Sequence, residues 1–397
     1  MSIVEGMTAL HGTFVVDLTR ILSGPYCTMI LADLGARVVK VEQPGKGDDT
    51  RAWGPPFVSG ESAYFLSINR NKESLTLDFK QPEGRAILEE LIGKADVLVE
   101  NFRPGTLKKL GLDYQSLASR FPRLVYCSVS GFGQNGPRAA EPGYDAVMQA
   151  EGGLMSITGA AGETPYRLGV AIADIVSGMF AAQGITAALL ARERTGRGQL
   201  VDIGMLDSVT ALLTYQAGIY FATGLAPGRL GNRHPTIVPY ETFAAADGDF
   251  VVAAGNDALW RAFCQVAELD LGDRFATNRD RVVHYDELRP VLAERLATRT
   301  RAQWIADLTT AGVPCGSVRD LAELFADPQI AAREMVVDVA HETIGRWPVL
   351  GSPLKLSDTP ASIRTAPPTL GQHTAAVVGE LGRADINIEA LRRQGIV

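Results

Sequence analysis

Residues 13–43 read TFVVDLTRILSGPYCTMILADLGARVVKVEQ, and their pattern decides the fold. TFVVDL is a short apolar run ending on polar residues, as expected of a strand buried on both faces. The segment that follows carries Pro25 where the first turn of a helix tolerates it and Gly35 where a helix stops. ARVVKVEQ then returns at once to strand. Strand, helix and strand in such quick succession make a βαβ unit, which implies a parallel sheet. The turn after the first strand holds a single glycine, Gly24, so neither a GxGxxG nor a Walker A loop is present. The spacing predicts a nucleotide-type fold without the usual phosphate loop.

Outward from this unit the alternation continues. SLTLDF (74–79), DVLVEN (96–101) and LVYCSVSG (124–131) read as strands, and PEGRAILEELIGK (82–94) as a helix with one apolar stripe. Residues 104–120 suggest a helical pair. The pattern predicts a doubly wound, Rossmann-like α/β domain, whose ligands bind at the carboxyl ends of the strands. That rule gathers Arg20, Glu42, Asn101, Phe102 and the loop after Ser130. Residues 43–73 read as a long irregular segment holding Arg51, Arg70 and Lys72 among aromatic residues, a functional loop or a solvated one. The stretch 131–154 has six glycines in 24 residues, which suits a lid or a close backbone approach. Composition shifts to glycine, proline and basic residues at 225–236, a linker to a smaller α+β domain. The expected division is 1–224 for a large domain, 225–330 for a small one and 331–397 for a C-terminal return to the large domain.

Composition narrows the function. Hydrophobic residues at 46% and charged residues at 21% describe a globular chain, and a net charge of −7 argues against non-specific nucleic-acid binding. The four cysteines, Cys27, Cys127, Cys264 and Cys315, form no CxxC pair and suit a reducing cytoplasm. No histidine and carboxylate cluster has metal-ligand spacing, so no metal is expected. The N-terminus reads as lacking a secretory signal. The uncharged run 175–191 is 17 residues long with two glycines and a glutamine, closer to a buried core helix than to a membrane span.

Immediately before that run stands one carboxylate, Asp174. An ionised carboxylate beside a dry helix is costly unless compensated, and the first turn of a helix offers amides that compensate it. Asp174 is then either a helix cap, a satisfied core acid, or a buried nucleophile. His234, in GNRHP, is the one histidine beside a glycine turn and arginines, and reads as a linker residue or a ligand.

Further signal lies in ordered motifs. Residues 17–51, 69–85, 96–114, GFGQNGP (131–137), PGYDAVMQAEGGLMSITG (142–159) and GVAIADIVSGMFAAQGITAAL (169–189), with GQHT (371–374), resemble the class III (CaiB/BaiF-type) CoA-transferase family. The likeness spans nearly the whole chain. It implies an interlocked, ring-like homodimer, no tightly bound cofactor, and a coenzyme A thioester as co-substrate. Asp174 matches the family's catalytic aspartate, the nucleophile that carries an aspartyl anhydride and then an aspartyl-CoA thioester. Asp145 matches an assisting acid. The matched CoA contacts are Leu22, Ser23, Gln43, Leu77, Lys80, Asn101, Phe102, Arg103, Lys109 and Tyr144. Leu22 and Gln43 depart from relatives that carry a polar residue and an arginine there. GNRHPTIVPYETF (231–243) replaces a longer glycine run, which argues against oxalate as acceptor.

The family's racemases use the same aspartate with a histidine from a GHD motif. This chain has GYD, and a tyrosine is a poor base near neutral pH. The resemblance therefore implies a transferase, with a 2-methylacyl-CoA racemase and a non-catalytic CoA-binding homologue as the alternatives. Within the transferases the wording is nearest the dicarboxylate type, exemplified by succinate–hydroxymethylglutarate CoA-transferase. That implies succinyl-CoA as donor and glutarate, hydroxymethylglutarate or itaconate as acceptor. The acceptor's distal carboxylate needs a cation or several donors. Arg51, Arg70, Arg167, Arg233 and His234 are the candidates.

Overall fold

The computed structural model describes residues 8–382 and 387–397. The segment read for a secretory signal begins outside the described residues. The chain forms two compact units. The first comprises residues up to 154 together with 168–217 and 328–397, and the second comprises 155–167 and 218–327.

The first unit is built on six parallel strands: β1 (Phe14–Asp17), β2 (Arg37–Glu42), β5 (Lys72–Thr76), β6 (Val97–Glu100), β7 (Val125–Ser130) and β8 (Leu200–Gly204). A small antiparallel hairpin, β3 (Phe57–Val58) and β4 (Glu61–Ser62), lies between β2 and β5 in sequence. The sheet order is β5-β2-β1-β6-β7-β8, so the winding reverses between β1 and β6. Crevices open at the carboxyl ends of such a switch point. Side chains alternate across the sheet. Val15, Val97, Val99, Val125 and Cys127 face one core, and Val16, Val39, Leu98 and Tyr126 face the other. Both faces are dry, which is why these strands read as continuous apolar runs.

One core is closed by α1 (Ser23–Asp33), with α2 (Ala63–Ile68) near its start; the other is closed by α3 (Pro82–Lys94) and α4 (Tyr114–Ala118). After β7 come α5 (Asp145–Glu151), α6 (Leu154–Ile157) and α7 (Ile172–Thr195), and after β8 come α8 (Met205–Ala211) and α9 (Thr214–Thr223). Helix α7 lies against α1 so closely that a Cβ on Gly178 would stand 2.5 Å from the Ser23 carbonyl oxygen. Only glycine permits that approach. By length and composition α7 could cross a membrane, but half of its apolar window is buried within the fold.

Residues 43–73 are not irregular. They hold a 3₁₀ turn (Asp49–Ala52), the β3–β4 hairpin and α2. Their many Gly, Pro and Ser residues mark the turns between short elements, and the Ser62 side chain caps α2 through the Tyr64 and Phe65 amides. The C-terminal part of the first unit contains a hairpin of β12 (Val336–His341) and β13 (Gly345–Leu350) and the helices Thr374–Gly379 and Ile388–Arg393. Val377, Val378, Leu391 and Ile396 join the core beside α3.

The second unit is an antiparallel sheet, β9 (Tyr240–Ala245), β10 (Gly248–Ala253) and β11 (Cys315–Ser317), covered by helices Asp257–Ala267, Tyr285–Leu296 and Arg301–Thr310. Phe243, Phe250, Trp260, Phe263 and Trp304 fill its core. Residues 155–167, assigned by composition to the large domain, pack with this unit instead. Nothing in their polar, glycine-containing sequence marks that attachment.

Candidate active site

Asp174 is the third residue of α7, whose N-cap, Ala171, has no side chain to accept from the helix amides. Asp145 supplies the missing acceptor. Its Oδ1 accepts from the Ala173 amide at 2.9 Å, and its Oδ2 accepts from Gln149 Nε2 at 2.8 Å. Gln149 Oε1 in turn accepts from the Leu168 amide at 2.9 Å. Asp145 thus holds the start of α7 and places a second carboxylate beside Asp174. Burial, and then the charge of Asp145, push the Asp174 carboxyl up to about 7, while a hydrogen bond with Ser23 works the other way. Ile21, Leu22, Tyr64, Ala171 and Ile175 belong to the apolar cluster at this point. Burial and the charges of Asp174, Asp145 and Asp48 push the Tyr64 hydroxyl up to about 12. Asp174 has no ion pair among the described residues, so its ionised form is poorly compensated.

Asp174 lines a cavity of about 260 Å³ together with Arg20, Ser23, Asn101, Phe102, Arg103, Ser130, Gly143 and Tyr144. Gly131 and Gly143 form part of its wall, where a Cβ on either would stand within 2.7 Å of the other's backbone. A smaller cavity of about 90 Å³ is lined by Gln43, Lys46, Leu77, Lys80, Arg20 and Phe102. The two share Arg20 and Phe102. Asn101 fixes that junction, accepting from the Arg20 amide at 2.9 Å and donating to the Arg20 carbonyl at 2.7 Å. This clamp ties the end of β1 to the end of β6 across the switch point. Glu100, buried and pushed up to about 7 by desolvation, accepts from the Phe102 amide at 2.9 Å.

The sequence model of CoA-transferase family III matches residues 10–374. The chain belongs to that family. It is 42% identical to the succinyl-CoA:glutarate CoA-transferase of Mus musculus, over 99% of this chain and 91% of that protein. It is 44% identical to the acetyl-CoA:oxalate CoA-transferase of Acetobacter aceti, over 92% and 94%. The crystal structure of a CAIB/BAIF family protein from Brucella suis matches with a TM-score of 0.85 at 43% identity, over 94% of this chain and 100% of that one.

The residues expected from the family resemblance divide between the two cavities. Ser23, Asn101, Phe102, Arg103 and Tyr144 share the first with Asp174, and Gln43, Leu77 and Lys80 line the second. Leu22 departs from expectation. Its side chain is 7% exposed and packs with Met29 and Ile68, while its neighbours Ile21 and Ser23 line the cavity. Lys109 lies on the 3₁₀ turn Leu107–Leu110, outside the lining of both cavities.

Two of the carboxylate candidates are withdrawn. Arg51 forms a fork on Glu42, with Nε and Nη2 donating at 2.7 and 2.8 Å, and stacks on Phe65. Arg70 forms another on Asp33, at 3.1 and 2.6 Å, with both side chains buried. Their guanidinium groups are spent inside the fold. Arg167, Arg233 and His234 belong to the second unit. There Arg233 stacks over Tyr285 at 3.4 Å, His234 stacks on Tyr240 at 5.2 Å, and Arg167 is exposed. Sequence reasoning missed the polar layer beneath the cavities, in which Lys40, Asp48, Asp17 and Lys72 are completely buried. Its signal was the charge in VVKVE, a run otherwise fit for a dry strand.

Proposed function

We propose that this protein transfers CoA from succinyl-CoA to a dicarboxylate of the glutarate, hydroxymethylglutarate or itaconate type. The observation that carries the reading is Asp174, a carboxylate without an ion pair among the described residues, in the wall of a cavity at the sheet's switch point. Its carboxylate attacks the donor thioester, forming a mixed aspartyl anhydride and releasing CoA thiolate. The thiolate attacks the aspartyl carbonyl, giving an aspartyl-CoA thioester and free succinate. The acceptor carboxylate attacks that thioester, giving a mixed anhydride of Asp174 and the acceptor and releasing CoA thiolate, which attacks the acceptor's acyl carbon and expels the free Asp174 carboxylate. The exchange is thereby split into easier steps. Each intermediate is hydrolysable, so the apolar neighbours of Asp174 matter for excluding water.

On this reading Asp145 assists by holding the first turn of α7 and keeping Asp174 basic. The CoA moiety occupies the two cavities that meet at Arg20 and Phe102, with Lys80 and Arg103 toward its phosphates. Arg167, Arg233 and His234 remain the candidates for the acceptor's distal carboxylate. The glutarate-using relative supports the acceptor class, and the oxalate-using one makes oxalate a necessary arm of the test. The working form is an interlocked homodimer. In support, α9 has no buried residue, and Phe221 and Leu225 are 80% and 73% exposed. The free cysteines suit a cytoplasmic location.

The test is mass spectrometry of acyl-CoA products in D2O, with succinyl-CoA and a panel of glutarate, hydroxymethylglutarate, itaconate and oxalate. A new dicarboxyl-CoA without carbon-bound deuterium is the expected result. Deuterium at C2 of added 2-methylacyl-CoA without CoA exchange would make the protein a racemase.

A further inference from the structure

The segment between β1 and α1 is held in place by side chains from three other parts of the chain. Lys40, on β2, donates to the Thr19 carbonyl at 2.8 Å. Asn101, after β6, clamps Arg20 on both its amide and its carbonyl. Asp48 accepts from the Ile21 amide with both oxygens, at 3.2 and 3.3 Å. Ile21 needs such holding, because its φ is +71°. A β-branched residue resists that left-handed conformation, and where one persists its surroundings impose it.

Asp48 is built for the task. Its side chain is completely buried and pairs with the equally buried Lys40 at 2.8 Å. It also accepts from the Thr50 amide at 3.0 Å and the Thr50 hydroxyl at 2.8 Å. Burial opposes its ionisation, but Lys40 and Thr50 outweigh burial and hold the carboxyl down to about 2. A buried ion pair is seldom the most stable filling for a core, so its presence asks for another use. The use lies in the chain direction. Ile21 precedes the N-cap of α1 by one residue and Ser23 by two, and Ser23 lines the same cavity as Asp174 and acts to lower its pKa.

We propose that Asp48, fixed by Lys40, is a positioning residue: it holds Ile21 in the left-handed turn that sets Ser23 against Asp174. The inference rests on the reading of Asp174 as nucleophile. Removing Asp48 alone would strand Lys40, so the test replaces both, as K40M/D48L, in two backgrounds. With Ile21 present, the pair's removal is expected to lower kcat at least tenfold while the KM for succinyl-CoA changes less than threefold. In an I21G background, where glycine adopts the turn unaided, the same removal is expected to cost less than threefold. Equal losses in the two backgrounds, or no loss in either, would overturn the proposal.

A readout independent of turnover is the carboxyl ¹³C titration of Asp174, assigned by its loss in D174N. Asp145 and Tyr64, and the charged or titratable groups Arg20, Arg103, Glu141 and Tyr144 that line the cavity with it, stay in place throughout. The midpoint is expected to rise in K40M/D48L and to return in the triple variant. A midpoint that stays put contradicts the proposal. If the midpoint moves as expected while wild type moves no CoA, the positioning stands and the transferase reading fails.

Discussion

The polar layer beneath the cavities holds buried carboxylates and the first turn of α7 a half-buried one, yet they are built in opposite ways. In the layer each carboxylate has its cation: Asp48 has Lys40 at 2.8 Å, Glu42 has Arg51 at 2.7 Å, and Asp17 has Lys72 at 3.4 Å. Burial works against all three, and the cations and hydrogen bonds still hold each carboxyl below its usual range. At the first turn of α7, Asp174 meets another carboxylate rather than a cation, and its carboxyl moves up to about 7. Compensation makes a buried charge inert and structural. Withholding it leaves a carboxylate ionised in a useful fraction near neutral pH, as the proposed nucleophile requires.

The largest effect should come from removing the uncompensated charge. Asp174→Ala is expected to leave less than about 1% of wild-type transfer while the protein stays folded, as read by product assay and circular dichroism. Next comes breaking a compensated pair. Arg51→Met strands Glu42 and is expected to cost about 3 kcal/mol in urea unfolding, the scale of a broken buried pair, with the KM for the acceptor unchanged. A raised acceptor KM would return Arg51 to the ligand site.

The pH dependence sharpens the contrast. The logarithm of kcat/KM should climb with unit slope below about 7 and level above it, as Asp174 ionises. Asp145→Asn removes the like charge and should move that midpoint down. Stability carries the opposite sign. The folded pKa of Asp174 lies above its reference value of 3.8, so the stabilisation is full below that value and is lost as pH rises through about 7. Asp174→Asn should remove this part of the slope in a series of unfolding curves. The smallest effect belongs to an exposed pair such as Arg120–Glu89, with side chains 47% and 27% exposed. Arg120→Ala should change stability by at most about 1 kcal/mol and leave transfer intact.

Much of this was legible in the sequence because it is local. TFVVDL and ARVVKVEQ declare buried strands by composition alone, and Asp174 stands out as the single charge before an uncharged run. The polar layer was not legible, because its partners meet only once the strands are laid side by side. Lys72 reaches Asp17 across 55 positions, and Lys40 reaches the Thr19 carbonyl across 21. Arginines in a turn-rich segment resemble ligand-binding groups until their internal partners are seen, which is how Arg51 and Arg70 came to be candidates. Asp145 was legible as an acid of the site, but its bond to the Ala173 amide exists only in three dimensions.

The most direct test of the central claim is to mix the protein with succinyl-CoA alone, quench in acid and map the adduct by peptide mass spectrometry. A CoA thioester on the peptide containing Asp174, absent from Asp174→Asn, is the expected result. Sustained CoA transfer with no adduct, or with the adduct on another residue, would contradict it.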